Sequence, residues 1–228
     1  MTPEPVTTDV GSAGTVSGLL QMPPRPRALY AFAHGAGAGM THRSMTAVAD
    51  ALAQRAIATL RYQFPYMEQR RKRPDPPAIA HAAVRAAVAL AHERAPNLPL
   101  FAGGRSFGGR MTSQAQAAAP LAGVRGLIFL AFPLHPANKP SHERAKHLAD
   151  VRIPMLFLQG TRDALAFLDE LKPVCESLGR RATLKLFEDA DHSFHVPARS
   201  GRTDAQLLGE MLDFVAAWID AIPAHTDS

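Results

Sequence analysis

The sequence predicts a single α/β domain over residues 1–228, with a mostly parallel central sheet, helices on both faces and no large cap. Three observations carry this expectation. Short apolar runs alternate with longer stretches of helical period, the pattern of strands joined by helical crossovers. Hydrophobic residues make up 46% of the 228, enough to bury one sizeable core. The chemically unusual residues fall just after the apolar runs, where open parallel sheets bind their ligands.

The elements follow in order. Residues 1–13 read as a loose tail. Thr15–Met22 reads as an early strand or hairpin arm, stopped by Pro23-Pro24-Arg25-Pro26. Ala28–Ala33 is a buried strand that ends in the loop His34-Gly35-Ala36-Gly37-Ala38-Gly39. A helix is expected over Ser44–Arg55, a strand over Ile57–Tyr62, and an alanine-rich helix over Ala78–Arg94. Then come a strand at Leu98–Ala102, a helix at Phe107–Ala118 and a strand at Gly126–Ala131. A short helix at Ser141–His147 precedes a strand at Pro154–Leu158 and a helix at Ala166–Leu178. The strand Ala182–Phe187 and a long helix over Thr203–Ile222 close the chain. Pro133–Ile153 is too short to hold a cap domain.

Composition narrows the partners. The net charge is +5 and the sequence pI about 9.8. The densest basic run, Arg70-Arg71-Lys72-Arg73, is followed by Pro74, Pro76 and Pro77 and carries no base-stacking aromatic pattern. It reads as a solvated loop, and no nucleic-acid partner is expected. Apolar runs such as Leu127–Phe132 are too short to span a bilayer. Cys175 is the only cysteine, so no internal disulfide forms, and no basic start with an apolar run opens the chain. Both fit a cytoplasmic protein.

Gly104-Arg105-Ser106-Phe107-Gly108 matches G-x-S-x-G between an expected strand and an expected helix. A strand turning straight into a helix holds the serine in strained geometry at its apex. The residues two before and two after meet neighbouring backbone and must be small, as Gly104 and Gly108 are. Ser106 is therefore the candidate nucleophile. A phosphate-binding loop would need Lys and then Ser or Thr after the last glycine, and Gly109-Arg110 stands there instead.

A serine hydroxyl needs a base to take its proton, usually a histidine held in one tautomer by a carboxylate. In an elbow fold the order is serine, acid, histidine. Leu158-Gln159-Gly160-Thr161-Arg162-Asp163 places an acid after a strand, and Asp189-Ala190-Asp191-His192-Ser193-Phe194 places a histidine after the last strand. Asp163 and His192 are the candidates. His34, His135 and His195 are rival histidines, and Asp189 and Asp191 rival acids. The His192-x-x-His195 spacing lacks further ligands for a metal, so no metal and no cofactor is expected.

Acyl transfer also needs backbone donors for a developing oxyanion. The amide of Phe107 is one, and Ala36 the other, with Gly37 second. Gly35-x-Gly37-x-Gly39 departs from a dinucleotide fingerprint, because Met40 stands where the third glycine belongs and Ile57–Tyr62 has no terminal acid. His42, Arg43, Arg105, Arg110 and His135, with Gly37, are candidate substrate-contacting residues. Lys139 is a further nearby cation.

Together His34–Gly39, Gly103–Arg110, Phe132-Pro133-Leu134-His135-Pro136, Leu158–Asp163 and Asp191–Phe194 resemble an α/β-hydrolase family. It comprises small lidless bacterial hydrolases and the hydrolase-like domain of a chromatin-complex regulatory subunit. The chain is more distantly similar to dienelactone hydrolases, which use cysteine where Ser106 stands. The resemblance runs from about Ala28 to Trp218. It implies a serine hydrolase acting on a small ester or thioester, and its chromatin-linked member offers a non-catalytic scaffold as the alternative.

Overall fold

The computed structural model describes residues 1–137 and 139–223. The described residues form eight strands and six α-helices. The strands are β1 (Glu4–Asp9), β2 (Thr15–Gln21), β3 (Ala28–Ala33), β4 (Ile57–Tyr62), β5 (Leu100–Arg105), β6 (Val124–Leu130), β7 (Met155–Gly160) and β8 (Ala182–Phe187). The helices are α1 (Arg43–Ala53), α2 (Pro65–Glu68), α3 (Pro77–Arg94), α4 (Phe107–Ala118), α5 (Leu168–Ser177) and α6 (Asp204–Ala221).

All eight strands form one sheet in the order β1-β2-β4-β3-β5-β6-β7-β8. From β4 to β8 every neighbouring pair is parallel, while β1 and β2 add to the β4 edge as an antiparallel hairpin. The expected loose tail is thus corrected: residues 4–9 pair with Thr15–Leu20 along their whole length. Main-chain bonds, rather than an apolar pattern, hold this segment, since Val6 is the only β1 residue fully buried. The short helix expected at Ser141–His147 is a 3₁₀ turn over Glu143–Asp150.

The two-residue period of a strand sends alternate side chains to opposite faces. In β3, Tyr30 and Phe32 join Met45 and Leu52 of α1 and Leu212 and Trp218 of α6 in one core. Leu29, Ala31 and Ala33 join Val84 of α3, Met111 of α4 and Leu171 of α5 in the other. Both faces of β3 are buried, which is why it reads as an unbroken apolar run. Each large aliphatic side chain sealed here contributes about 1.5–3 kcal/mol.

A buried cation interrupts β4. Arg61 is 1% exposed and donates to Thr46 Oγ1 (2.9 Å) and Gln21 Oε1 (3.2 Å), and Gln21 in turn donates to Asp50. This network ties β2 and β4 to α1. Between β6 and β7 the chain packs over α4, where His147 Nε2 lies 2.7 Å from Ser113 Oγ. No cap domain arises from this stretch. Among the described residues no helix is long and apolar enough to cross a membrane.

Candidate active site

Ser106 is the single residue between the end of β5 and the start of α4. Its backbone sits at φ 48, ψ −116. That conformation costs a residue with a side chain about 1–3 kcal/mol and persists only where its surroundings impose it. Here Ser106 N–H donates to Leu130 O (2.9 Å), and Ser106 O accepts from Arg110 N–H (3.1 Å). The flanking glycines permit the close approach. A Cβ on Gly104 would stand 2.4 Å from Ala33 O, and one on Gly108 2.6 Å from His34 O. The turn lifts the serine hydroxyl into a cleft at the carboxyl ends of the parallel strands.

The loop after β8 brings His192 to that hydroxyl, with Nε2 2.9 Å from Ser106 Oγ. Nδ1 lies 2.7 Å from Asp163 Oδ2 in the loop after β7. The Asp163 side chain is sealed from solvent. Oδ1 accepts from Leu165 N–H (2.8 Å), and Oδ2 also accepts from the Gln159 amide. A carboxylate so held fixes the imidazole with Nδ1–H donating to Asp163 and Nε2 free to accept from the serine. Gln159 received no role from the sequence. Its signal was a polar residue inside the apolar run of β7.

The rivals are spent elsewhere. His34 Nδ1–H donates to Gly35 O (2.8 Å) and Nε2 accepts from Phe64 N–H (3.1 Å). Burial pushes its pKa down to about 4. His135 repeats the device at the end of β6, bonding Pro136 O (2.8 Å) and accepting from Phe167 N–H (3.3 Å). His195 pairs with Asp204. Asp191 Oδ1 accepts from Ser193 N–H (2.7 Å) and His195 N–H (3.0 Å), so it shapes the His192 loop and does not orient the ring. Asp189 is bonded through its own N–H to Thr161 Oγ1.

The cleft has a volume of about 930 Å³ and opens on solvent. Ala36, His42, Arg43 and Arg105 belong to its wall, beside Ser106 and His192. Three expected substrate contacts do not. Gly37 turns its N–H away to Tyr66 Oη (2.9 Å). Arg110 lies with its guanidinium carbon 6.0 Å from the centre of the Phe107 ring, one turn along α4. His135 is fully buried in its bracing role. Lys139 is exposed on a loop outside the wall. Sequence spacing could not show these directions. Tyr66, in α2, gave no signal at all.

Two main-chain N–H groups near Ser106 make no hydrogen bond among the described residues. Phe107 is the first residue of α4, so its N–H has no intrahelical partner. Ala36 N–H makes no hydrogen bond among the described residues, in contrast to its neighbours Gly37 and Ala38. Arg105 is half-buried beside them. Burial lowers its pKa, and the charges of Asp191 and Asp163 oppose that shift.

A strained serine at a strand-to-helix turn, set in an uncapped cleft of a parallel sheet, is the arrangement of α/β hydrolases. Residues 26–220 match the alpha/beta hydrolase domain, and the chain belongs to that family. Solved structures repeat the whole fold. An α/β serine hydrolase without lid from Xanthomonas campestris is 24% identical, with 99% of this chain and 97% of that chain covered and a TM-score of 0.74. A dienelactone hydrolase from Anabaena variabilis is 20% identical over 98% and 100% of the two chains, TM-score 0.77. A putative α/β hydrolase from Agrobacterium tumefaciens is 20% identical over 97% and 100%, TM-score 0.74.

Proposed function

We propose that the protein is a serine hydrolase that cleaves an ester or thioester of a small acyl substrate through an acyl-enzyme on Ser106. The observation that carries this is the unbroken chain from Ser106 Oγ through His192 to the sealed carboxylate of Asp163. Ser106 Oγ attacks the carbonyl carbon while His192 Nε2 takes its proton. Asp163 holds Nδ1–H and stabilises the imidazolium. The tetrahedral oxyanion accepts from Phe107 N–H and Ala36 N–H. The intermediate collapses, the bond to the leaving group breaks, and His192 returns the proton to the departing alcohol or thiol. Water then attacks the acyl-serine by the same route in reverse and frees the acid. The scheme uses no metal and no cofactor.

The partner is thus a small molecule rather than a nucleic acid or a membrane. The cytoplasmic reading rests on Cys175 being the single cysteine, which leaves no internal disulfide to form. The decisive experiment is labelling with a fluorophosphonate probe, followed by a panel of p-nitrophenyl esters and acyl thioesters. Labelling at Ser106 with turnover of at least one class supports the reading. A folded protein that neither labels nor turns over any member is a scaffold, and the reading falls.

A further inference from the structure

The cleft wall contains a cation with no ion-pair partner among the described residues. Arg105 immediately precedes Ser106, and the only hydrogen bond of its side chain among the described residues runs from one terminal nitrogen to His192 O at a long 3.4 Å. It makes no ion pair among the described residues. The nearby carboxylates are committed: Asp163 to His192, Gln159 and Leu165, Asp191 to two loop amides, and Asp204 to His195. A half-buried guanidinium with most of its fork open is built for a planar, singly charged acceptor. Three aspartates in the same region disfavour a doubly charged one.

Arg105 also walls a smaller recess. This space of about 160 Å³ lies between α1 and α6 and is lined by Val48, Leu130, Phe194, Leu208 and Met211. It shares Ser44, Ala47, Arg105, Ser193 and Asp204 with the cleft, so the two adjoin. A leaving group must depart through the open cleft. A small side recess with a mainly apolar lining suits the part of the substrate that stays on the enzyme.

We propose that Arg105 and this recess select acyl groups that end in a carboxylate: short dicarboxylic half-esters or half-thioesters. The methylenes lie against the recess, and the carboxylate takes the open fork of Arg105. The proposal rests on the hydrolase reading above, and its test separates the two.

Wild type, Arg105→Gln and Arg105→Lys are assayed on p-nitrophenyl hemiglutarate and on p-nitrophenyl valerate, a neutral ester of similar length. The readout is the ratio of kcat/KM values, because a merely structural role for Arg105 would move both substrates together. Wild type should favour the hemiglutarate, and Arg105→Gln should lower the ratio by about tenfold to a hundredfold, the worth of a charge-assisted bond. Arg105→Lys should restore part of it. Calorimetry of monomethyl glutarate on Ser106→Ala, with and without Arg105→Gln, reads binding apart from chemistry. Binding that needs Arg105, with no turnover in wild type, overturns the hydrolase reading alone. Turnover of both esters with a wild-type ratio of one or less, or a ratio unchanged in Arg105→Gln, overturns this proposal alone. The wild-type ratio decides even where a variant fails to fold.

Discussion

His195 and Asp204 form a second imidazole–carboxylate pair on the wall of the cleft that holds His192 and Asp163, with Nδ1 2.9 Å from Oδ2. The two pairs differ in setting. Asp204 is exposed at the first residue of α6 and also accepts from Val196 N–H (3.0 Å), so the pair pins the loop to the helix. The bond to Asp204 and its charge raise the His195 pKa. Among the described residues only His192 bonds the Ser106 hydroxyl.

The pairs should therefore separate cleanly on substitution. His192→Ala should cost about 10³-fold or more in kcat, and His195→Ala no more than a few-fold. Asp163→Asn should slow turnover by a similarly large factor, since it favours the wrong tautomer. Combining Ser106→Ala with His192→Ala should add nothing to either alone. Steady-state kinetics decide this, and comparable losses from His192→Ala and His195→Ala would reverse the assignment.

Strain at Ser106 should be visible in stability. Ser106→Ala and Ser106→Gly both remove the hydroxyl and both should be inactive. Glycine accepts φ 48 without a Cβ penalty, so it relieves about 1–3 kcal/mol while giving back about 0.5–1 in chain entropy. Ser106→Gly should be the more stable by about 1 kcal/mol in urea denaturation. The opposite order would mean that the turn is unstrained.

Two other glycines should respond in opposite directions. Gly108→Ala drives a Cβ to within 2.6 Å of main-chain oxygen and should cost about 3 kcal/mol. Gly209, inside α6, has nothing within 4 Å of such a Cβ, so Gly209→Ala should add about 0.5–1 kcal/mol. Thermal midpoints of the two variants against wild type check this.

His34 sets an acid limit on the fold. Its folded pKa of about 4 lies below the ordinary 6.5, so the unfolded chain binds the proton more readily. Stability is full above about pH 6.5 and falls as the pH drops toward 4, by on the order of 3 kcal/mol for this group. Imidazole NMR should find His34 neutral at pH 5, with the proton on Nδ1. Titration near 6.5 would remove this account of acid sensitivity.

What the sequence shows depends on how each segment is buried. Strands β3 to β7 are covered on both faces, and their largely apolar stretches stand out in the sequence even where Arg61 interrupts β4. Glu4–Asp9 is a polar edge strand with Pro5 in it, and its pairing leaves no periodic mark. That Ser106, Asp163 and His192 meet was legible because strand ends and chain order constrain them. Gly37, Arg110 and His135 were not, because a few degrees of loop or helix rotation decide between a cleft wall and a brace. Gln159 and Tyr66 act on the site through one hydrogen bond each, which no spacing encodes.

The uncapped cleft has a consequence for product distribution. The carbonyl of an acyl group on Ser106 would be reached from the bulk medium through the cleft mouth, and among the described residues no segment closes over it to choose its acceptor. Alcohols or amines at high concentration could then reach the same carbon as water and divert the acyl group to themselves. In mixed solvents the protein would work as an acyl carrier between small molecules, and the composition of the medium would set the balance.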